Sequence, residues 1–262
     1  MPEGHKTHWL AKRHRQQMSG RRVRITSPQG RFRADARKVS GSSVRDVEAV
    51  GKHLFYHFEN DAIVHVHLGR YGSFRDENSP PPKPVGQIRM RMTHDDWTLD
   101  LRGPTRCRVI DEAVREEVVS KLGPDPLAGG RKTDVWELLQ GSHKPIAALL
   151  LDQSVIAGVG NIFRAEMLFE AGIDPLRPGS ELSKPQWTQL WKVIVRQMKT
   201  GLKYGKIVTP TAAEAGKSRA RLEKLERFRV YGHTHCPQCG RTLRIEDIGN
   251  RRMYWCGRCQ TA

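Results

Sequence analysis

The chain has 262 residues, with 45 Lys and Arg against 28 Asp and Glu, and so a formal charge of +17. An excess that large calls for a polyanionic partner, nucleic acid ahead of an anionic membrane surface. No apolar run is long enough to span a membrane and the Pro-Glu-Gly-His-Lys start is no signal peptide, so the expectation is a soluble cytoplasmic chain without membrane attachment.

The first predicted element is a helix from Gly4 to about Met18, closed by Gly20. Short period-two segments follow. Val23 and Ile25 alternate with arginines, and Leu54, Tyr56 and Phe58 alternate with His53, Phe55 and His57. Ile88, Met90 and Met92 interleave with Arg89 and Arg91, and Trp97, Leu99 and Leu101 follow a turn at Asp95-Asp96. Patterns of this kind predict about six to eight half-buried strands before residue 112, hence a β-sandwich or barrel led by one helix. The four-proline stretch Asn78 to Val85 reads as a loop within it.

Leu122-Gly-Pro-Asp-Pro-Leu127, followed by Gly129-Gly130, is the best domain boundary, and beyond it the period becomes helical. Helices are expected over Pro145 to Leu151 and Ile162 to Ala171, the second stopped by Gly172. A third carries Trp187, Leu190, Trp191, Ile194 and Met198 on one core-facing side, with Ser183 as N-cap and Gly201 as stop. Leu202 to Arg227 is basic and irregular and receives no assignment. The fold class is therefore α+β. Its expected parts are a β-rich domain over 1–122, a linker over 123–132, a helical domain over 133–228 and a cysteine-bearing hairpin over 229–262.

Four of the five cysteines fall in two close pairs, Cys236-x2-Cys239 and Cys256-x2-Cys259, while Cys107 stands alone. Two such pairs complete a tetrahedron of thiolates around one zinc ion, with no position left open for a reactive water, so the ion is expected to be structural. His233 and His235 lie just upstream, but four cysteines suffice. Ile245 and Tyr254-Trp255 suggest a hairpin between the pairs, with Arg251 and Arg252 toward its tip, suited to phosphate contacts.

Gly158-Val-Gly160-Asn161 opens a helix, a place where free N–H groups can hold phosphate; equally it is an ordinary glycine turn with an Asn cap. Lys52, in Gly51-Lys52-His53-Leu54, sits at a strand start, where a lone lysine is usually solvated. Pro2, once Met1 is removed, would carry a free secondary amine able to condense with a sugar aldehyde. Glu3 beside it could move protons, and the following helix would favour the neutral amine. Taken alone, a proline at this position means no more than a chain end.

Together, Met-Pro-Glu-Gly, Gly-Lys-His-Leu, Gly-Val-Gly-Asn-Ile and the four-cysteine hairpin occur in an order that resembles the formamidopyrimidine-DNA glycosylase/endonuclease VIII family over nearly the whole chain. Pro-Glu-Gly is closer to the endonuclease VIII branch. The resemblance implies a β-sandwich led by one helix, then a helix-two-turn-helix domain carrying the zinc finger. It implies Pro2 as the nucleophile that forms the iminium ion, Glu3 as the acid/base carboxylate, and Lys52 as a phosphate-contacting lysine needed for base removal. Asn161 and Arg251 would grip phosphates flanking the lesion. The implied partner is double-stranded DNA with oxidised bases or abasic sites, lying across a basic cleft and bound by a monomeric, nucleoid-associated enzyme with one structural zinc.

The sequence departs from the family pattern at the residues that fill the vacated base stack. Leu101-Arg-Gly-Pro-Thr-Arg-Cys107 lacks the aromatic wedge of some members, and Gly69-Arg70-Tyr71-Gly72 keeps only the tyrosine of the usual Gln-Leu-Tyr set. Arg70 and Tyr71 are the candidate wedge, against ordinary turn packing for Tyr71. The resemblance implies a bifunctional DNA glycosylase and abasic-site lyase acting on oxidised bases, pyrimidines favoured, and two rival readings stand beside it: the same chemistry aimed at 8-oxoguanine and formamidopyrimidines, and a non-catalytic zinc-ribbon protein that recognises DNA structure.

Overall fold

The computed structural model describes residues 2–77, 81, 83–95 and 97–261. Met1, Asp96 of the expected turn, and Asn78, Ser79, Pro80 and Pro82 of the proline-rich stretch lie outside the described residues. Contacts divide the chain into two units. One holds residues 1–3 and 7–121, the other residues 4–6 and 122–262.

In the first unit, helix α1 (Gly4–Met18), apart from its first three residues, leads eight strands: β1 (Arg24–Thr26), β2 (Val44–Val50), β3 (His53–Phe58), β4 (Ile63–His67), β5 (Ser73–Glu77), β6 (Ile88–His94), β7 (Trp97–Arg102) and β8 (Arg106–Ile110). They form two antiparallel four-stranded sheets, ordered β1-β6-β7-β5 and β2-β3-β4-β8. Alternation decides which residues meet between them. Ile25, Met90, Met92, Leu99 and Leu101 of the first sheet share a core with Val47, Leu54, Tyr56, Phe58, Val64 and Val66 of the second. Leu10, Ala11 and Met18 of α1 close that core. This is the expected sandwich.

Two helices of this unit were not expected: α2 (Arg33–Val39) and α3 (Glu112–Ser120). α2 is short and basic, and only Ala36 and Val39 are buried, too few apolar positions to display a period. α3 covers the outer face of the second sheet, where Val114, Val118 and Val119 pack on Phe55, Ile63 and Ile110. That is why Phe55, read as a solvent-side partner of Leu54 and Tyr56, is fully buried. Arg91 is likewise buried, in a fork-to-fork pair with its cross-strand neighbour Asp100, with Nε to Oδ1 at 2.7 Å and Nη2 to Oδ2 at 2.8 Å.

Glu48 fastens α3 to the sheet. Its carboxylate accepts from Arg115 Nη2 at 2.6 Å and Nε at 2.8 Å, and lies 3.2 Å from His57 Nε2. The His57 hydrogen bond first, and then Arg115 working against burial, hold the Glu48 carboxyl down at about 2 from an ordinary 4.5. A carboxyl whose pKa is depressed by folding stabilises the fold above its unfolded value and loses that contribution as pH falls through the folded one. The native protein should therefore lose stability more steeply than Glu48→Gln between pH 4.5 and 2, as read by denaturant midpoints across that window.

The second unit holds α4 (Lys132–Gln140), α5 (Ile146–Leu149), α6 (Asn161–Ala171), α7 (Lys184–Tyr204), α8 (Ala212–Ala215) and the hairpin β9 (Arg244–Asp247) with β10 (Arg252–Trp255). Residues 123–130 are hydrogen-bonded into this unit: Gly123 N donates to Gln153 O at 2.8 Å, and Ala157 N to Pro124 O at 3.1 Å. Ser183 caps α7 through a complete capping box with Gln186. The helix does not stop at Gly201. It runs on to Tyr204 and ends at Gly205 in the left-handed conformation. Gly201 is inside the helix because His5 packs there, and a Cβ at 201 would stand 2.9 Å from the His5 ring.

The unassigned basic segment is ordered by polar ties that leave no hydrophobic pattern. Thr209 N donates to Arg227 O, closing the loop at 3.0 Å. Arg229 binds Glu214 through both Nε and Nη2, and Lys206 Nζ donates to Ala220 O.

Candidate DNA-binding and catalytic residues

Pro2 is half-buried and Glu3 is fully buried at the head of α1, where Glu3 occupies the N-cap position in extended backbone. Its carboxylate makes no capping hydrogen bond to the helix. The next residue, Gly4, donates its N–H to Gly158 O at 2.8 Å, and any Cβ at Gly4 would come within 2.7 Å of Gly158 Cα. Glycine at both positions lets two backbones touch, which holds the first turn of α1 on the glycine turn before α6. Gln153 braces that turn, its Oε1 accepting from Gly158 N at 3.0 Å and its Nε2 donating to Val159 O at 3.0 Å.

Lys52 sits in the two-residue loop Gly51-Lys52 between β2 and β3, where Gly51 has φ +55 as a type II′ hairpin turn requires. Around it lies a group of imidazoles not singled out from sequence. His53 pairs in register with His67, and its Nδ1 lies 2.8 Å from His65 Nε2. Burial first, and then the neighbouring charges of His67, Arg106 and Lys52, push His53 down to about 4. Burial, then the charges of His53 and the arginines on β8, push His65 to about 3. His67 moves the same way, with Lys52 the first-ranked charge after burial. Burial and the neighbouring cations thus favour the neutral form of all three rings. The signal in the sequence was there: His53 on one strand and His65 and His67 on the next share one parity.

Tyr71 is 77% exposed, and the Arg70 guanidinium lies 5.4 Å from its ring centre. The loop is too tight to fold back over them. Gly69 has φ +65, Gly72 N donates to Leu68 O at 3.0 Å, and a Cβ at Gly69 would fall on Thr105. The structure thus brings the Arg70–Tyr71 loop beside the Gly103–Thr105 loop.

In the second unit α6 organises the remaining candidates. Asn161 is buried at the first turn, and its Nδ2 donates to Arg252 O at 3.0 Å. One proton of that amide is therefore spent on the hairpin, while its buried Oδ1 has no hydrogen-bond partner among the described residues. Arg164, one turn on and fully buried, donates to Ala147 O, Ile248 O and Arg251 O at 3.0, 2.8 and 2.7 Å. Glu166, also fully buried, accepts from the N–H groups of Arg229, Val230 and Tyr231 at 2.7, 2.9 and 2.8 Å, and from the Thr209 hydroxyl. Arg164 gathers carbonyls and Glu166 gathers N–H groups, so a single apolar helix fixes both the hairpin tip and the loop before it. Two opposite charges inside Ile162-Phe-Arg-Ala-Glu-Met-Leu-Phe169 were the sequence signal for both.

Arg251 follows Gly249 and Asn250, whose φ values of +62 and +59 make the two-residue type I′ turn between β9 and β10. Its side chain is exposed while its carbonyl is held by Arg164. Arg164→Met would strip donors from three carbonyls, and is expected to cost about 3 kcal/mol in denaturant unfolding.

Cys236, Cys239, Cys256 and Cys259 place their sulfurs within 4.8 Å of one another. The Cys236–Cys259 and Cys239–Cys256 sulfurs are 3.8 and 3.5 Å apart. A tetrahedron with Zn–S bonds of about 2.3 Å has edges of about 3.8 Å, so the four thiols fit one zinc ion. His233 and His235 take no part: His233 Nε2 faces Leu225 O and His235 Nδ1 faces the Thr234 hydroxyl. Gln260 supports the knuckle, its Oε1 accepting from Cys256 N and its Nε2 donating to Ile173 O.

Residues 1–112 match the formamidopyrimidine-DNA glycosylase N-terminal domain, and residues 122–213 the H2TH domain of the same enzymes. The chain is 42% identical over the full length of both proteins to Endonuclease 8 1 of Mycobacterium tuberculosis. It is 30% identical to the formamidopyrimidine-DNA glycosylase of Stutzerimonas stutzeri, over 85% of this chain and 84% of that one. It therefore belongs to the formamidopyrimidine-DNA glycosylase/endonuclease VIII family of DNA-binding repair glycosylases. The fold is shared with the Lactococcus lactis Fpg protein bound to DNA containing N7-benzyl-Fapy-dG, with TM-score 0.84, 21% identity and complete coverage of both chains. It is shared equally with the same protein on DNA containing an abasic site, at TM-score 0.83 and 21% identity, over 99% of this chain and all of that one. Among the described residues no helix is long and apolar enough to cross a membrane.

Proposed function

We propose that this chain is a bifunctional DNA glycosylase and abasic-site lyase that removes oxidised bases, pyrimidines ahead of purines, from double-stranded DNA. The observation that carries the reading is the head of α1. There Glu3 is withdrawn completely from solvent next to Pro2, and Gly4 is pinned to the Gly158 turn. A carboxylate is not buried at a chain start for packing alone, because burial of a charge is costly.

Once Met1 is removed, the lone pair of the Pro2 nitrogen attacks C1′ of the damaged nucleotide. The bond from C1′ to the base breaks, and the base leaves with the electron pair and takes up a proton. Glu3 receives the amine proton and passes it to the ring oxygen as the C1′–oxygen bond opens, which leaves an iminium ion. That cation acidifies the 2′ hydrogens. Loss of one expels the 3′ phosphate, loss of a 4′ hydrogen then expels the 5′ phosphate, and water releases the sugar remnant from Pro2. Lys52, Asn161 and Arg251 hold the phosphates around the target, which is turned out of the stack. Arg70 and Tyr71 fill the gap, Tyr71 by stacking and Arg70 by cation–π contact. One zinc ion on the four cysteines shapes the hairpin and takes no part in the chemistry. The enzyme acts as a monomer in the cytoplasm, on the nucleoid.

The reading puts pyrimidines first because the Pro-Glu-Gly start resembles the endonuclease VIII branch, and the chain is similar over its full length to an Endonuclease 8. The reading is tested with duplexes carrying thymine glycol, 8-oxoguanine or an abasic site, each incubated with borohydride. A covalent protein–DNA adduct on the abasic duplex, with thymine glycol cut faster than 8-oxoguanine, is the expected result. Salt-dependent binding with no adduct would make this a DNA-structure-binding protein instead.

A further inference from the structure

The buried side of α7 is apolar, with Trp187, Leu190, Val193, Ile194, Met198 and Gly201 in the core of the second unit. Its outer side has a different composition. Lys192, Arg196, Lys199 and Lys203 are all exposed and recur at spacings of four, three and four. At 100° per residue they fall within about 60° of arc, and at 1.5 Å per residue they run along about 16 Å of helix. Arg196 is paired with Glu170, but none of the three lysines forms an ion pair among the described residues. They surround an open apolar strip on the same helix face, made by Trp191 and Val195, both half-buried.

Like charges at i, i+4 work against a helix. Here one sign is kept for three turns around an aromatic and a branched aliphatic side chain. A phosphodiester backbone would answer the charge but would leave Trp191 and Val195 uncovered. A peptide that brings carboxylates together with an apolar side chain answers both, and a central aromatic anchor ringed by charge is how compact protein interfaces concentrate their affinity.

We propose that the outer face of α7 is a docking site for an acidic segment of a partner protein, one that places an apolar side chain on Trp191 and Val195 between flanking carboxylates. None of the residues lining it is among those assigned to base excision, and the inference does not depend on that assignment. Its affinity is salt-dependent, with an apolar part that persists at high salt.

The probe is a fluorescein-labelled peptide of aspartates flanking a single phenylalanine, titrated against the full chain by anisotropy. The comparison peptide has serine in place of phenylalanine, and the variants are Lys199→Glu and Val195→Asp. The phenylalanine peptide should bind, the serine peptide should bind about tenfold more weakly, and each variant should lose about tenfold. Both variants should keep the native rate of cleavage on abasic duplex and the native affinity for it. Equal binding of the two peptides would reduce the face to a charged surface and overturn the proposal. Undiminished binding to Lys199→Glu would do the same. A variant that loses affinity for undamaged duplex as much as for the peptide would assign the face to nucleic acid.

Discussion

Glu3→Gln is expected to reduce base excision by about 10²- to 10⁴-fold, the range that a positioned proton-transfer group supplies, while affinity for an abasic-analogue duplex changes by only a few-fold. The substitution keeps the size of a fully buried side chain and the extended backbone of the N-cap position, so it removes the proton acceptor without opening a cavity. On the proposed chemistry the amide can neither accept the proton from the attacking amine nor deliver it to the ring oxygen. Single-turnover cleavage of a thymine-glycol duplex under enzyme excess measures the chemical step free of product release. Pre-formed abasic sites should suffer less, because their sugar already opens to the aldehyde without help. Excision within tenfold of the native rate would mean that another group moves the proton.

Loss of the proposed zinc ion should have the second large effect. Structural zinc in four-ligand fingers contributes about 10–16 kcal/mol of apparent binding energy near neutral pH. Here the hairpin around it is continuous with the core of the second unit, where Leu243, Ile248, Met253 and Trp255 are buried among α5, α6 and α7 side chains. Cys239→Ser is therefore expected to release zinc and to free the β9–β10 turn from Arg164 and Asn161, which dislodges Arg251. Affinity for abasic-analogue duplex should fall at least tenfold, with the first unit still folded. Zinc content and the dissociation constant, measured on the same preparation, check this together. A zinc-free variant that binds DNA as the native protein does would show that the hairpin is dispensable for binding.

How far the sequence could be read follows from which residues carry a period. Strand pairs with one polar face, such as the pair bearing Ile88, Met90 and Met92, announced themselves by alternation, even where that polar face is buried as at Arg91 and Asp100. The β3 and β4 strands were harder, because α3 covers part of their outer face and turns Phe55 and Ile63 inward from both sides. Helices α2 and α4 are short and bury two side chains each, which leaves no stripe to detect. Gly201 misled for a related reason: a glycine inside α7 is required by the approach of His5, a contact distant in sequence.

The site residues divided in a similar way. Pro2, Glu3, Lys52, Asn161, Arg251 and the four cysteines stood in local motifs, and the family resemblance tied the motifs together. Arg164, Glu166 and the His53–His65–His67 group act through carbonyls, N–H groups and rings that lie many residues away. No spacing rule marks such partners. Only a charged residue in an apolar helix, or imidazoles of one parity on facing strands, hints at them.

The central claim is that the chemistry begins at a free secondary amine on Pro2. It is tested most directly by comparing, in one borohydride-trapping experiment on abasic duplex, protein whose intact mass shows Met1 removed and protein with an added residue retained in front of Pro2. Adduct formation by the first and none by the second is the expected result. Equal trapping by both, or an adduct mapped by peptide sequencing to a lysine, would contradict the account.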